Sequence, residues 1–361
     1  MDISIRELNN ELFLQAWKTK TPLAGIFELT GRCNLSCLMC YVRRAPNDRN
    51  AIDTELSAER WIEIGKQAAD EGLLYLLLTG GEPFLRPDFF SIYEGLRGLG
   101  LQISINTNAT LITPEIARRL ALMPPLSIGV TLYGASPETY GRISGVPEAF
   151  ERTIQGIRLL REEGLPLKLR TTIIQQNRGD FEKIYALAHE MELKLQLVDY
   201  VFANRAHAKS DPFAVRLSPE DQEECLHWMI EMSTAETPPP QSIPTLPRME
   251  EAQQTGGLSC AAGNFSFAVN YSGALCCCLM IDSPALALGP NETFIGQWKK
   301  LVKICEEIPA CKECLICSIR RYCTVCPAKL AGETGYFDKS APYLCEMAKL
   351  TYARVATSGG A

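Results

Sequence analysis

The chain has 361 residues, is 46% hydrophobic and carries a formal net charge of −6. That length accommodates one large or two ordinary domains. The acidic balance, without a long basic run, argues against a nucleic-acid or membrane-surface partner. No apolar stretch reaches bilayer length, and MDISIRELNN does not read as a signal peptide, so a cytoplasmic location is expected.

Residues 1–22 read as an N-terminal extension. From Leu23 to about Asp199 short apolar runs alternate with helical patterns. The predicted strands are Leu23–Thr30, Leu73–Thr79, Leu101–Thr107, Leu126–Leu132, Leu167–Ile174 and Leu193–Asp199. Such near-continuous apolar runs suit a parallel sheet covered by helices. Between them, Thr113-Pro114-Glu115 and Ser136-Pro137-Glu138 read as an N-cap followed by proline at the first helical position. Phe150, Ile154 and Ile157 recur at helical spacing and should face a core. Six βα units in series predict a partial (β/α)6 barrel over residues 23–205, with chemistry at the C-terminal ends of the strands. Ser218-Pro219-Glu220 starts another helix, carrying Cys225 and Trp228. Residues 206–258 are this helix and a proline-rich linker, TAETPPPQSIPTLPRMEEAQQTGG. Residues 259–361 hold eleven of the cysteines and read as a small α+β domain stapled by metal rather than by a large core.

The chain has fifteen cysteines and three histidines, His189, His207 and His227. The odd count, without an export signal, favours thiols over disulfides, and the scarcity of histidine favours sulfur ligation by iron–sulfur clusters or zinc. The three histidines are expected to be structurally bland, and Cys225 and Cys305 to be buried apolar thiols. ELTGRCNLSCLMCYVRR follows the first strand and spaces Cys33, Cys37 and Cys40 as C-x3-C-x2-C. Three thiolates on one tight loop can hold three irons of a 4Fe–4S cubane and leave the fourth open to a small molecule. A zinc ion with water as fourth ligand is the rival reading. One βα unit later TGGEP places Gly80, Gly81 and Glu82 at a strand end, where glycines admit a close approach and the carboxylate suits an ammonium group. An ordinary turn is the plain alternative.

Together these motifs resemble the radical SAM superfamily over about Leu23 to Asp199. The resemblance implies that Cys33, Cys37 and Cys40 hold a catalytic 4Fe–4S cluster. Its open iron would bind S-adenosylmethionine, whose reductive cleavage gives a 5′-deoxyadenosyl radical. It further implies that Met39 packs near adenine, that Gly80, Gly81 and Glu82 hold the methionine amino group, and that Thr131 and Asn108 contact the ligand. Asn108 lies in TNA, where relatives often carry TNG.

The C-terminal cysteines resemble the SPASM extension of that superfamily, which carries up to two auxiliary 4Fe–4S clusters. By position, one takes Cys314, Cys317, Cys323 and Cys345; the other takes Cys260, Cys278 and Cys326. Cys326 follows Cys323 after two residues where the family has three. The cysteine that completes the second set in some relatives is missing from AAGNFS, so that cluster has an open iron or uses Cys276, Cys277 or Cys311.

The resemblance implies a maturase that abstracts hydrogen from a residue of a peptide or protein, leading to a crosslink, a thioether or an epimer. Alternatives are a small-molecule radical dehydrogenase, a tetrapyrrole-modifying enzyme, an anaerobic sulfatase maturase and, last, a ferredoxin-like electron carrier. Leu279 stands where sulfatase maturases carry an aspartate. A flavodoxin or ferredoxin is the expected electron donor. About 32 residues precede Cys33, short for a leader-binding domain, so a substrate is expected to bind the barrel directly or to arrive through a separate leader-peptide-binding protein.

Overall fold

The structure is a computed structural model. It describes residues 5–198, 200–205, 211–236, 257–258 and 260–358. Most of the proline-rich linker, together with Asp199 and His207, lies outside them. The chain divides into two compact units.

The larger unit, residues 21–216 and 266–301, contains a nine-stranded sheet among the described residues. All six predicted strands form: β1 (Ala24–Glu28), β2 (Tyr75–Thr79), β3 (Gln102–Thr107), β4 (Ser127–Thr131), β5 (Leu167–Thr172) and β6 (Leu195–Val198). They pair parallel in sequence order, with Glu28 opposite Thr79 and Thr131 opposite Arg170. This is the partial α/β barrel that the sequence pattern demanded. Three further strands lie beyond β1. Strand β7 (Ser266–Val269) pairs parallel to it, and β8 (Ala274–Cys276) and β9 (Ala285–Ala287) continue antiparallel. They come from the segment assigned by sequence to the cysteine-rich domain, yet they extend the barrel sheet.

The strands have two faces because successive side chains alternate. On one face Phe27, Leu76, Leu78, Ile103, Ile105, Val130 and Leu169 are fully buried. Phe27 packs on Trp61 of the helix Ala58–Asp70, with ring centroids 4.9 Å apart, which identifies this as the helix-covered side. The other face carries half-buried polar residues, including Ser104, Asn106, Ser127, Thr131 and Arg170. A pure structural core would not place them there.

The predicted caps form. Thr113 Oγ1 accepts from Ile116 N, Ser136 Oγ from Thr139 N and Ser218 Oγ from Asp221 N. Ile154 and Ile157 are buried in the helix Ala149–Glu162, and Phe150 packs on Tyr140 at 5.9 Å.

The smaller unit comprises residues 1–20, 217–265 and 302–361. Its helices Pro219–Glu236 and Pro342–Ser358 are joined by the Arg354 guanidinium, which donates to both oxygens of buried Glu223. Trp17 packs on Phe265, with ring centroids 6.0 Å apart. Asn264 donates to the carbonyls of Leu258 and Cys260, fixing the backbone at Cys260. None of the fifteen cysteines is in a disulfide, and Cys225 and Cys305 are buried. His189 is exposed on its helix, and His227 pairs with Glu231.

Candidate functional site

The loop that leaves β1 folds back on itself. Arg44 N donates to Gly31 O and Cys33 N donates to Arg44 O, so residues 31–44 close into one lobe. Ser36 N and Leu38 N bond the carbonyls of Ser144 and Ile143, which pins the lobe to the end of the helix Pro137–Ser144. Arg32 locks its base through paired bonds to Glu55, at 2.7 and 2.9 Å. The lobe is therefore shaped by backbone and ion-pair contacts that need no thiol.

Cys37 is buried, and Cys33 and Cys40 are half-buried. Burial pushes the Cys33 thiol up to about 12, with Glu82 adding to the shift. Burial also raises Cys37, reinforced by the neighbouring Cys40 and Cys33 thiols, and raises Cys40. Three thiols packed so close to one another resist ionising unless a cation compensates them, which is what iron bound to thiolates does. Among the described residues no three Cys, His, Asp or Glu side chains form a group set to hold a single metal ion. The donor chemistry and burial of the loop suit a cubane, in which each thiolate takes a different iron.

The GGEP turn leans directly on this lobe. Gly81 N donates to Thr30 O and Glu82 N donates to Arg32 O, both at 2.8 Å. A Cβ on Gly80, whose φ is +144°, would sit 2.4 Å from Thr30 O, and one on Gly81 would sit 2.2 Å from Arg32 O. The backbone that these glycines admit is that of the cysteine lobe. Glu82 is fully buried. It accepts hydrogen bonds from Thr107 Oγ1 (2.8 Å), Asn108 N (2.8 Å) and Phe84 N (3.1 Å). Burial outweighs these bonds and pushes its carboxyl up to about 7. Three donors leave one of the carboxylate's roughly four lone-pair positions for another partner.

Asn108 lies directly after β3. Its Nδ2 is 3.7 Å from Cys33 Sγ and 3.0 Å from Asn34 Oδ1. Met39 is buried within the lobe. Thr131, half-buried at the end of β4, stands beside Arg170 of β5 in register. Sequence reasoning passed over Arg170, whose Nε is buried without a hydrogen-bond partner. Gly129 makes room for it: a Cβ there would meet Asn106 Oδ1 at 2.5 Å and Arg170 Cδ at 3.3 Å. A cation within LKLRTTII was the available signal, since a strand packed on both faces has no use for one. A partly buried guanidinium near the strand ends, its Nε without a partner, suits a carboxylate.

Glu28 was also passed over. It is the last residue of β1 and is fully buried. Its Oε2 accepts from Arg205 Nη2 at 2.7 Å and from Tyr271 N at 3.3 Å, while Oε1 has no partner. Burial raises its carboxyl above the ordinary range despite Arg205. Arg205 N donates to Tyr41 O, and its guanidinium lies 5.5 Å from the Tyr41 ring. This pair ties the far end of the lobe, next to Cys40, to the barrel strand.

In the smaller unit, Cys314 neighbours Cys311, Cys323 and Cys345, and Cys317 neighbours both Cys323 and Cys345. The four cysteines assigned by sequence to one auxiliary cluster, with Cys311, are thus near enough to feel one another's charge, though among the described residues they form no group set to hold a single metal ion. A cavity there is lined by Cys311, Cys314, Cys326 and Arg320. Cys260 and Cys326 belong to this unit and Cys278 to the larger one. Cys276 packs with Ala268 and Leu279 in the core beside β8.

Residues 27–188 match the family model of the radical SAM superfamily. Among curated relatives, an AdoMet-dependent heme synthase of Methanosarcina barkeri is 34% identical over 214 residues, 59% of either chain. The PqqA peptide cyclase of Rhizobium meliloti is 32% identical over 173 residues, 48% of this chain and 45% of that one. The chain spans about half the length of the curated relatives it matches. Among solved structures, Streptococcus suis SuiB bound to S-adenosylmethionine superposes with a TM-score of 0.68. It is 18% identical, covering 94% of this chain and 82% of that one. A second structure of SuiB, bound to its precursor peptide SuiA, matches equally well, at TM-score 0.68 and 18% identity over 96% of this chain and 82% of that one. No helix among the described residues is long and apolar enough to cross a membrane.

Proposed function

From the premise that residues 27–188 are a radical SAM domain, we propose that this enzyme reductively cleaves S-adenosylmethionine and takes hydrogen from a residue of a peptide or protein. One observation carries the reading. Three mutually close thiols, one buried and two half-buried, the one vacant position on Glu82 and the unbonded Nε of Arg170 lie in one unit, on the loops and strand ends at one edge of a parallel sheet.

In this reading Cys33, Cys37 and Cys40 hold a 4Fe–4S cluster. The cluster supplies an electron, and S-adenosylmethionine supplies the hydrogen-abstracting group. The chain's own residues position the ligand. Glu82 and the backbone of Gly80 and Gly81 face the methionine ammonium. The guanidinium of Arg170, beside Thr131, meets its carboxylate, and Met39 packs near the adenine. Cys314, Cys317, Cys323 and Cys345 hold one auxiliary cluster. A reduced flavodoxin or ferredoxin is the proposed electron donor, and a separate leader-peptide-binding protein a further proposed partner.

A peptide substrate is favoured by the likeness to SuiB, which runs through the cysteine-rich region, and by the peptide cyclase among the relatives. A tetrapyrrole side chain is the second reading, supported by the heme synthase match. Fold alone does not choose between them. The test is isotope transfer. A short peptide encoded beside the gene, deuterated residue by residue, should pass deuterium into 5′-deoxyadenosine from one labelled position. Transfer from a deuterated iron porphyrin, with none from any peptide position, would overturn the peptide reading.

A further inference from the structure

The segment Thr107–Thr110 is built more tightly than a strand-end turn requires. Ala109 has φ +59°, in the left-handed region where a Cβ crowds the following carbonyl. The surroundings enforce it. Ala109 N donates to Thr107 Oγ1 at 2.9 Å, and Gly156 brings a helix so close that its Cβ would lie 2.2 Å from Ala109 O. Thr153 Oγ1 donates to Asn108 O at 3.1 Å, and Glu82 holds Asn108 N.

The Asn108 side chain is oriented by the same segment. Thr110 N donates to Asn108 Oδ1 at 2.9 Å, which identifies that atom as the oxygen. The Thr110 hydroxyl donates to it as well, at 2.6 Å, and in turn accepts from Asn34 Nδ2 at 2.7 Å. The amide nitrogen is thereby turned away from Thr110. It donates to Asn34 Oδ1, and its other N–H faces Cys33 Sγ. Leu35 N, within the lobe, approaches the same sulfur at 3.4 Å. A flipped amide would set two donors against Thr110 N–H, so the network admits one orientation.

We propose that Asn108 is a positioning residue that donates its side-chain N–H to the Cys33 sulfur and so sets the reduction potential of the cluster on the lobe. This rests on the function proposed above. A hydrogen bond to a cluster sulfur withdraws electron density from it, stabilises the reduced state and raises the potential. Asn34 and Thr110 act through Asn108 by fixing which end of its amide meets the sulfur. The β3 loop thereby acts on the β1 loop electronically as well as sterically.

The test is an EPR-monitored redox titration of the anaerobically reconstituted full-length chain, followed on the signal that changes when S-adenosylmethionine is added. Asn108→Ala should keep the iron content of the parent and lower the midpoint potential of that signal. Thr110→Val, which keeps the amide but removes one of its two anchors, should give a smaller fall. An unchanged potential at full iron content in Asn108→Ala would overturn the proposal. So would loss of that cluster from Asn108→Ala together with an unshifted potential in Thr110→Val, because the role would then be structural. A parent chain with no signal that responds to S-adenosylmethionine would instead reject the underlying function.

Discussion

Replacing Cys33, Cys37 and Cys40 together by alanine is expected to remove about four irons per chain, one cubane, and all reductive cleavage of S-adenosylmethionine. The fold around them should survive. The lobe is closed by Cys33 N to Arg44 O and Arg44 N to Gly31 O, and is anchored by Arg32 to Glu55 and by Ser36 and Leu38 to the helix end. Every one of these contacts uses backbone or non-cysteine side chains. The substitution deletes three sulfurs whose ionisation burial opposes, so the apo chain has no thiolate interactions to lose. Iron and sulfide analysis, with chromatography for 5′-deoxyadenosine, checks both halves. A triple variant that still forms 5′-deoxyadenosine on reduction would remove the lobe from the chemistry.

Arg205→Met is expected to be the most destabilising single change among the polar residues of the larger unit. Glu28 is fully buried, and Arg205 is its ion-pair partner. Its second oxygen already lacks a hydrogen bond. Removing the cation leaves a buried carboxylate uncompensated, which costs about 3–5 kcal/mol. For a unit of this size that lowers the melting temperature by roughly 10 °C. Adding Glu28→Gln should recover part of the loss, because a neutral amide needs no counter-charge. Thermal unfolding of the apo chain measures both. A single variant within about 0.5 kcal/mol of the parent, as for an ordinary surface substitution, would show that Arg205 and Glu28 are not energetically coupled.

Most of the barrel was legible because its signals are local and repeated. Six apolar runs were bounded by turns, and two Ser/Thr-Pro-Glu caps each bonded the N–H three residues on. Strands β7 to β9 were not legible. At three or four residues each, they exist because β7 pairs onto β1, more than two hundred residues away in sequence, and β8 and β9 add to β7 in turn. The cysteine lobe announced itself by spacing alone. The roles of its neighbours did not, since each depends on which loops meet. Gly80 and Gly81 looked like a place for a ligand, and their missing Cβ atoms are filled by the backbone of Thr30 and Arg32. Asn108 reads in sequence as a ligand contact and lies against the Cys33 sulfur. Glu28 looked like one more strand residue until Arg205, from beyond β6, arrived beside it.

The central claim is that the lobe holds a cluster that cleaves S-adenosylmethionine. The most direct measurement is the yield of 5′-deoxyadenosine when the anaerobically reconstituted full-length chain is reduced in the presence of S-adenosylmethionine. The account predicts 5′-deoxyadenosine and methionine in equal amounts, at a level absent from the unreduced sample. A chain that carries its full complement of reducible iron–sulfur clusters yet forms no 5′-deoxyadenosine would contradict it.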